Sequence, residues 1–599
     1  MPGLSKKTVV TALFCLCFAV MSGEEKTAPV PASAVHLSGG PFLHARELDR
    51  AWLRSLDMDR FLSGFRTESG LESNVPRYGG WEAMGVSGHA FGHFLCAASN
   101  LVSTTADNDL LGKLDYCMDV LAQCQEADGT GLLCAFEGSR RIFDELRRGD
   151  IRAQGFDLNG GWVPMYTVHK VLAGLISVTR LTPEPTSAKA RSVLLSFADY
   201  LAALFEGLDD TQIQTILFCE HGGLQESFLD IYSLTGDTRY LTLAKRLEHR
   251  IFLEPLEHGE DRLCGEHANM EIPKIVSLAR EYEATGEERC LQTARFFWDR
   301  VTGHHSYVIG GNSEGEHFGQ PDHLEGRLDG GTCETCNTYN MLKLTAMLHR
   351  YNPSARLADY YERAVLNQIL ASQNPETGMV CYMSPLGAGQ RKDFSTPFDS
   401  FWCCVGTGFE NHTRYEDFIY SAGEKSLYVN LFIPSELSLP EKGIALKQET
   451  GFPYDSSVNF TVRSRGRFTL YLRRPSWSSG TPAVTVNGKN IRCSEKNGYL
   501  ELSRKWKPGD KVTLTLNPAI HHESLPGDSS LKAWMYGPVV LCAHKDSQIS
   551  VEGASAPVII SADTLDFCLE STGGPVALRP YFEAADNPTV VYFKYTNNF

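Results

Sequence analysis

Phe228-Leu-Asp-Ile-Tyr-Ser-Leu-Thr-Gly-Asp237, followed by Tyr240-Leu-Thr-Leu-Ala-Lys-Arg-Leu247, has the apolar periodicity of two amphipathic helices joined by a Thr-Gly-acid turn. The same arrangement returns in Val276-Ser-Leu-Ala-Arg-Glu-Tyr-Glu-Ala-Thr-Gly-Glu287, which is followed by Leu291-Gln-Thr-Ala-Arg-Phe-Phe-Trp298. Each unit is therefore predicted to be a helical hairpin. A hairpin of this kind exposes an apolar face that a neighbouring hairpin must bury.

Looser copies of the hairpin lie on both sides of these two units. They run from Phe94 to Cys124, from Lys170 to Phe205 and from Met341 to Leu370. Units of about fifty residues, present about five or six times before residue 425, can stack and close into a ring. The sequence therefore predicts an (α/α)6 barrel over residues 36–425.

The hydrophobic period changes from 3.6 to 2 after residue 425. Leu427-Tyr-Val-Asn-Leu-Phe432, Val458-Asn-Phe-Thr-Val462, Phe468-Thr-Leu-Tyr-Leu472 and Val512-Thr-Leu-Thr-Leu516 alternate as strands do. We expect a β-sandwich over residues 426–525, with residues 526–599 forming a second β-sandwich or completing the first. The predicted fold class is multidomain α + β, with an (α/α)6 barrel followed by one or two β-sandwich domains.

The first 22 residues have the pattern of a secretory signal peptide, with Lys6 and Lys7 before the apolar segment 9–21. The segment is too short to span a bilayer, and no other stretch approaches that length. We therefore expect an exported protein, periplasmic or secreted, without a membrane span. The net charge of −16 argues against nucleic acid as a partner. A homodimer remains open.

Two adjacent cysteines, Cys403 and Cys404, stand out among the seventeen in the chain. Neighbouring cysteines on a trans backbone rarely reach the geometry of a disulfide, whereas one metal ion can bind both. With Glu334 and Cys336 they offer three thiols and one carboxylate, a full ligand set for tetrahedral Zn²⁺. The alternative is a set of buried, apolar cysteines, because the spacing is not that of a zinc finger.

Long motifs around these residues resemble glycoside hydrolase family 127 and its sister family 146, the β-L-arabinofuranosidases. The decisive segments are Glu334-Thr-Cys-Asn-Thr-Tyr-Asn-Met-Leu-Lys-Leu344, which is closer to family 146, and Trp402-Cys-Cys-Val-Gly-Thr-Gly-Phe-Glu-Asn-His412. Shorter matches support them: Tyr78-Gly-Gly-Trp-Glu82, Gly88-His-Ala-Phe-Gly-His-Phe94, Tyr166-Thr-Val-His-Lys170, His267-Ala-Asn-Met-Glu-Ile-Pro273 and Gly310-Gly-Asn-Ser-Glu-Gly-Glu-His-Phe318.

The resemblance implies a retaining mechanism with a zinc-bound cysteine as nucleophile. It assigns Zn²⁺ to Glu334, Cys336, Cys403 and Cys404, the nucleophile to Cys403 and the general acid/base to Glu316. A carboxyl group that donates a proton near neutral pH needs a raised pKa, which we expect at Glu316. Glu314 lies two residues away, so the choice between them depends on the match of Gly-Glu-His-Phe318.

Seven further residues are candidates for substrate binding. The resemblance favours His169, His267 and Tyr382. Trp81 and Glu82 are either a sugar platform and hydroxyl acceptor or a buried cap. His89 and His93 are one helical turn apart as in a zincin, but position 90 is Ala, so we expect polar lining rather than a second metal site.

Three functions fit the sequence. The first is an exo-acting retaining β-L-arabinofuranosidase, whose substrate is an oligosaccharide or glycan of plant origin with terminal L-arabinofuranose. The second is a related glycosidase acting on another sugar, such as an acidic sugar of pectin. The third is a non-catalytic sugar-binding protein with a structural zinc ion. The presence of Glu316 favours the first two, because a structural metal site needs no acid beside it.

Overall fold

A computed structural model describes residues 26–596, and the predicted signal peptide lies outside this range. Within it, no helix combines the length and the hydropathy that crossing a bilayer requires. Sixteen α-helices are described in this part of the chain. In chain order they are α1 (Gly40–Ser55), α2 (Met58–Glu68), α3 (His89–Thr105), α4 (Asn108–Asp128), α5 (Ser139–Arg147), α6 (Pro164–Leu181), α7 (Thr186–Glu206), α8 (Asp210–Leu217), α9 (Leu224–Thr235), α10 (Thr238–Arg246), α11 (Arg250–Glu257), α12 (Ala268–Thr285), α13 (Glu288–His304), α14 (Thr335–Tyr351), α15 (Ala355–Ala364) and α16 (Cys403–Thr413).

Six of these helices form the inner ring of an (α/α)6 barrel, as predicted. Each inner helix packs against the next, in the order α3, α6, α9, α12, α14 and α16, and α16 packs back against α3. The inner helices are buried along most of their length, whereas outer helices such as α4 and α13 have an exposed face. This difference follows from their positions, because an inner helix has neighbours on all sides and an outer helix has them on one.

The Thr-Gly-acid turns join inner to outer helices as the sequence predicts. Gly236 ends α9 with a φ of 73°, and Gly286 ends α12 with a φ of 74°. A glycine adopts this left-handed conformation without strain. Asp237 then caps α10 by accepting a hydrogen bond from the backbone N–H of Arg239.

Twenty-five strands are described in residues 26–596, most of them after the barrel. In chain order they are β1 (Ala28–Pro29), β2 (Val35–Leu37), β3 (Ala153–Gln154), β4 (Asp157–Leu158), β5 (Gly161–Trp162), β6 (Tyr420–Ala422), β7 (Ser426–Val429), β8 (Ser435–Leu439), β9 (Ile444–Thr450), β10 (Ser457–Val462), β11 (Gly466–Arg473), β12 (Ala483–Val486), β13 (Lys489–Asn490), β14 (Ser494–Lys496), β15 (Tyr499–Trp506), β16 (Lys511–Thr515), β17 (Ile520–Leu525), β18 (Asp528–Tyr536), β19 (Val539–His544), β20 (Ser550–Glu552), β21 (Val558–Ser561), β22 (Asp566–Ser571), β23 (Gly574–Pro580), β24 (Thr589–Val590) and β25 (Tyr592–Thr596).

The first β-region is built from two sheets, one of six strands (β1-β6-β7-β11-β15-β14) and one of seven (β13-β12-β16-β10-β9-β8-β2). Their alternating side chains share one apolar core with the α12–α15 side of the barrel. The edge strands β1 and β2 come from the segment before the first helix, so the described part of the chain contributes to this region before it enters the barrel.

The last part of the fold is a nine-stranded sheet. Seven of its strands follow the order β20-β25-β18-β19-β23-β22-β21, while β17 pairs with β18 and β24 pairs with β19. Strand β17 pairs with β18 from Ile520 onwards, so this sheet begins six residues before the predicted boundary at 526. The residues after that boundary therefore build a further sheet together with β17.

Buried ion pairs hold the first β-region against the barrel. Arg473 on β11 is fully buried and binds Asp359 and Glu362 of α15. Glu362 also accepts a hydrogen bond of 2.8 Å from Nε1 of Trp477. An unpaired charge at this depth is costly, so the contact fixes the position of the sandwich behind the barrel. We call the end of the barrel at which the inner helices begin its mouth.

Candidate active site and metal centre

The four predicted metal ligands lie together where two inner helices begin. Glu334 is the N-cap residue of α14 and Cys336 lies in its first turn, while Cys403 and Cys404 are the first two residues of α16. The two helices are neighbours in the ring. The beginning of a helix carries partial positive charge, which favours thiolates and carboxylates at these positions.

The donor atoms have nearly the spacing of a tetrahedral metal site. Sγ of Cys403 lies 3.8 Å from Oε1 of Glu334 and 3.8 Å from Sγ of Cys404. Sγ of Cys404 lies 3.7 Å from the same carboxylate oxygen and 3.1 Å from Sγ of Cys336. Four ligands with Zn–S bonds of about 2.3 Å would be about 3.8 Å apart. No pair is near the S–S bond length of about 2.05 Å, so the thiols are free to bind a metal.

The cluster also has the polarity that a cation requires. All four side chains are buried, and Oε2 of Glu334 has no hydrogen-bond partner. Burial, and the charge of Cys403, raise the pKa of Glu334 well above its usual value. Burial also raises the pKa of Cys336, but hydrogen bonds from Cys403 and Cys404 outweigh it and bring this pKa down to about 7. A buried group of potential anions with an unpaired oxygen fits a divalent metal, and its three sulfur donors are compatible with Zn²⁺.

The side chain of Tyr382 connects the metal cluster to Glu316. Its backbone carbonyl accepts a hydrogen bond of 3.1 Å from the N–H of Thr335 at the start of α14, which fixes the residue beside the ligands. Its hydroxyl lies 3.4 Å from Sγ of Cys403 and donates a hydrogen bond to Oε1 of Glu316. The predicted nucleophile and the predicted acid are therefore neighbours of one hydroxyl group.

His267 holds the other oxygen of Glu316. Its Nδ1 accepts a hydrogen bond of 3.3 Å from the backbone N–H of Met270, so His267 caps α12. Its Nε2 then carries the proton and lies 3.3 Å from Oε2 of Glu316. The N–H of Ala268 also donates to the backbone carbonyl of Glu316 at 2.8 Å. The start of α12 thus positions the acid over the mouth.

The prediction of a raised pKa at Glu316 is wrong for this structure. The hydrogen bond from His267, and a second one from Tyr382, lower the pKa of Glu316 below its usual value despite partial burial. Burial lowers the pKa of His267, but the hydrogen bond to Glu316 and the charge of Glu220 outweigh it, so this pKa is raised. The sequence motif shows a glutamate but not the two donors that the fold brings to it.

Glu314 has a different partner. Its carboxylate forms an ion pair of 2.9 Å with Arg327, and the same guanidinium donates to the backbone carbonyl of Glu314. Glu316, by contrast, contacts both Tyr382 and His267. The geometry therefore supports Glu316 as the acid.

Glu82 and His93 support helices rather than the substrate. The two carboxylate oxygens of Glu82 accept hydrogen bonds of 2.8 Å from the N–H groups of Gly88 and Ala90, so the side chain caps the start of α3. Nδ1 of His93 lies 2.6 Å from a carboxylate oxygen of Glu410 inside the barrel. Of the two interpretations of Glu82, these contacts fit the buried cap, and His93 is placed as a packing residue below the site rather than as a substrate ligand.

His89 and His169 remain at the mouth as buried rings. Nδ1 of His89 lies 2.8 Å from the carbonyl of Val86, and its Nε2 has no partner. Nδ1 of His169 accepts a hydrogen bond of 3.1 Å from the N–H of Gly223. A Cβ atom at Gly222 would lie 2.6 Å from this nitrogen, which explains the two consecutive glycines before α9.

Half-buried aromatic rings form one wall of the site. The ring of Trp81 lies 6.2 Å from that of Tyr382 and 5.2 Å from that of Trp162, and Tyr382 lies 6.1 Å from Trp402 (centroid distances). Such a wall suits the apolar face of a sugar ring. The sequence pointed to Trp81 and Tyr382; Trp162 and Trp402 were missed because a single tryptophan in a loop has no distinctive pattern.

Glu220 is a further carboxyl group that the sequence analysis did not select. It is buried just before α9, and its N–H donates to the carbonyl of Gly155 at 2.9 Å. Burial raises its pKa to about 7; the charge of His267 lowers it, and those of Cys403 and Glu316 raise it. The only signal in the sequence is an acid directly before His221-Gly-Gly223, which is also typical of a simple helix start.

Comparison with known proteins accounts for this arrangement. Residues 34–417 match the catalytic domain of the GH127 β-L-arabinofuranosidases, and residues 426–518 match the middle domain of the same enzymes. The chain belongs to this family. It is 22% identical over 523 residues to the non-reducing end β-L-arabinofuranosidase of Bifidobacterium longum subsp. longum, and the match covers 77% of each chain.

Solved GH127 structures share the fold. The β-L-arabinofuranosidase Ara127N of Geobacillus stearothermophilus T6 superposes with a TM-score of 0.75 at 18% identity, over 94% of this chain and all of the other. A second GH127 β-arabinofuranosidase gives a TM-score of 0.75 at 18% identity, over 96% of this chain and 99% of its own. The protein is thus a glycoside hydrolase of the GH127 β-L-arabinofuranosidase family with that family's helical barrel and strand-rich C-terminal half.

Proposed function

We propose that this GH127 enzyme is an exported, exo-acting, retaining β-L-arabinofuranosidase that removes terminal L-arabinofuranose from glycans of plant origin. The observation that carries the proposal is the shared contact of Cys403 and Glu316 with the hydroxyl of Tyr382. These contacts keep the sulfur and the carboxylate within about 6 Å of each other, which is close to the retaining separation of about 5–5.5 Å and below the inverting one.

The proposed reaction has two displacements. Sγ of Cys403 attacks the anomeric carbon while Glu316 donates its proton to the leaving oxygen, so the glycosidic bond breaks as the S–C bond forms. Glu316, now a carboxylate, takes a proton from water, whose oxygen displaces the sulfur and restores the thiolate. The product keeps the β configuration because the carbon is inverted twice.

Each neighbour has a part in this scheme. Glu334, Cys336, Cys403 and Cys404 would hold the cation; when bound, an ion such as Zn²⁺ keeps these thiols deprotonated at neutral pH. Tyr382 orients the sulfur and the acid relative to each other. The half-buried tryptophans would exclude water from one face of the furanose ring. The name of the relative from B. longum supports the choice of a non-reducing end arabinofuranoside.

Covalent trapping tests the proposal. An arabinofuranose analogue with an electrophilic epoxide should inactivate the enzyme by labelling Cys403, with protection by free L-arabinose, and peptide mass mapping locates the label. NMR of early product from an aryl β-L-arabinofuranoside should show the β anomer first. Label on a carboxylate would overturn the role of Cys403, and initial formation of the α anomer would overturn retention. A panel of aryl glycosides that contains acidic sugars checks the sugar itself.

A further inference from the structure

A second cavity lies beside the catalytic site at the mouth of the barrel. Its volume is about 360 Å³, within the range of ligand pockets. It lies between α11 and the loop that leads into α12, and we name it the Phe218 cavity. Six of its lining residues are Gly155, Phe218, Ile251, Arg262, Glu266 and Met270.

The Phe218 cavity exposes large apolar side chains. Phe218 is 54% exposed and Ile251 is 70% exposed, and Phe156, next to the lining residue Gly155, is 46% exposed. Three such side chains close together on the surface are a feature of binding sites rather than of an ordinary solvated face. Arg262 and Glu266 are exposed on the same cavity and supply a hydrogen-bond donor and an acceptor. An apolar platform with polar groups of both signs suits neutral sugars.

The cavity adjoins the catalytic site on the side of Glu316. The ring of Phe156 packs edge-on against that of His267, with centroids 5.5 Å apart, and His267 binds Glu316. Met270 lines the cavity and its N–H binds the other nitrogen of His267. Gly155 accepts a hydrogen bond from Glu220. One layer of side chains therefore separates the Phe218 cavity from the carboxyl group that protonates the leaving oxygen.

We propose that the Phe218 cavity binds the leaving-group part of the substrate, the neutral oligosaccharide to which the terminal arabinofuranose is attached. The proposal rests on the proposed function, because the leaving group of a glycosidase must lie on the side of its general acid. Sugar units beyond the cleaved bond would pass Phe156 and lie on Phe218 and Ile251. The enzyme would then select arabinofuranosides by their chain and not by the terminal sugar alone.

Two substrates separate this subsite from the catalytic pocket. One is 4-nitrophenyl β-L-arabinofuranoside, which carries no sugar beyond the cleaved bond; the other is an oligosaccharide with the same terminal residue. Phe218→Ala and Ile251→Ala should each lower kcat/KM on the oligosaccharide by about tenfold through a higher KM, since stacking and apolar contacts of this size contribute on the order of 1–1.5 kcal/mol. On the aryl glycoside the change should be less than about twofold.

Ile560→Ala is the matched control, because Ile560 is 66% exposed on the C-terminal sheet. The oligosaccharide without its terminal arabinofuranose should inhibit the wild type, and more weakly the two cavity variants. If the wild type is active, the subsite proposal is overturned when the cavity variants lose kcat/KM equally on both substrates, or lose none on the oligosaccharide. A wild type inactive on both substrates would instead overturn the proposed function, and the subsite with it.

Discussion

Replacing Tyr382 with Phe removes one hydroxyl group from the centre of the site. The aromatic ring keeps its place near Trp81 and Trp402, and the backbone bond from Thr335 to residue 382 does not depend on the side chain. The hydroxyl itself contacts Sγ of Cys403 at 3.4 Å and donates to Glu316. The variant should therefore fold normally and lose only the link between these two groups.

The expected loss follows from the type of hydrogen bond. A bond to a charged partner contributes about 1.5–3 kcal/mol, which corresponds to about ten- to hundredfold in rate. If this bond orients the sulfur and the acid for the transition state, kcat and kcat/KM should fall together by that factor, with little change in KM. The bond also lowers the pKa of Glu316, so its removal should raise this pKa.

Initial-rate kinetics on an aryl β-L-arabinofuranoside across the pH range measures both effects. Tyr240→Phe is the matched control, because its hydroxyl binds Asp199 at 2.8 Å on the outer ring of helices. An unchanged kcat in the Tyr382 variant, or a loss carried only by KM, would refute the orienting role. An equal loss in the Tyr240 variant would point to a general effect on stability.

Three further variants test other parts of the site. Elemental analysis of the wild type should find about one metal ion per chain, as the ligand set predicts, and Glu334→Ala should remove most of it. The control Cys264→Ser, at an exposed cysteine, should keep the metal. A wild type that is active without metal would contradict this prediction. Glu316→Gln should abolish cleavage of substrates with poor leaving groups and spare activated aryl glycosides, since only the former need a proton. Glu314→Gln should affect both kinds of substrate alike. The reverse pattern would assign the role of the acid to Glu314 instead of Glu316. His267→Gln should move the alkaline limb of the kcat/KM profile to higher pH, because the hydrogen bond and the charge of His267 lower the pKa of Glu316; an unchanged limb would place the essential proton elsewhere.

The parts of the fold that local chemistry determines were predictable from the sequence. The turn at Gly236 and Asp237 needs a glycine with positive φ and a capping carboxylate, and both requirements are visible in the sequence. The cluster of Glu334, Cys336, Cys403 and Cys404, which could hold a metal ion, was predictable because three soft donors and a carboxylate have few other uses together. The strand at Ile520 was placed in the wrong unit, because the sheet it joins is determined by the pairing of its hairpin partner β18 with the distant strand β25.

Charge distribution within the site was the least predictable part, because it depends on groups distant in sequence. Nothing near Glu316 in the chain indicates that His267 and Tyr382 will donate to it, or that Glu220 will be buried beside it. The same difficulty applies to Glu82, whose role as a helix cap depends on which N–H groups it faces. The residue types were enough to predict the kind of chemistry at the site. The pKa shifts of its acids could be predicted only from the contacts in the folded structure.

The hydrogen bonds from His267 and Tyr382 determine when Glu316 can carry the proton of a general acid. Glu316 has a lowered pKa because the N–H at Nε2 of His267 donates to its carboxylate, so the acid of the proposed reaction must gain its proton when the substrate binds. A general acid must present that proton to the leaving oxygen, which lies on the side of Glu316 in the proposed reaction. A sugar bound between Cys403 and Glu316 would displace water from the carboxylate, and desolvation raises the pKa of a carboxyl group. Substrate binding would thus favour the protonated form of Glu316, while the N–H at Nε2 of His267, 3.3 Å away, keeps the carboxyl group in place. In this arrangement the histidine positions the carboxyl group and the glutamate delivers the proton.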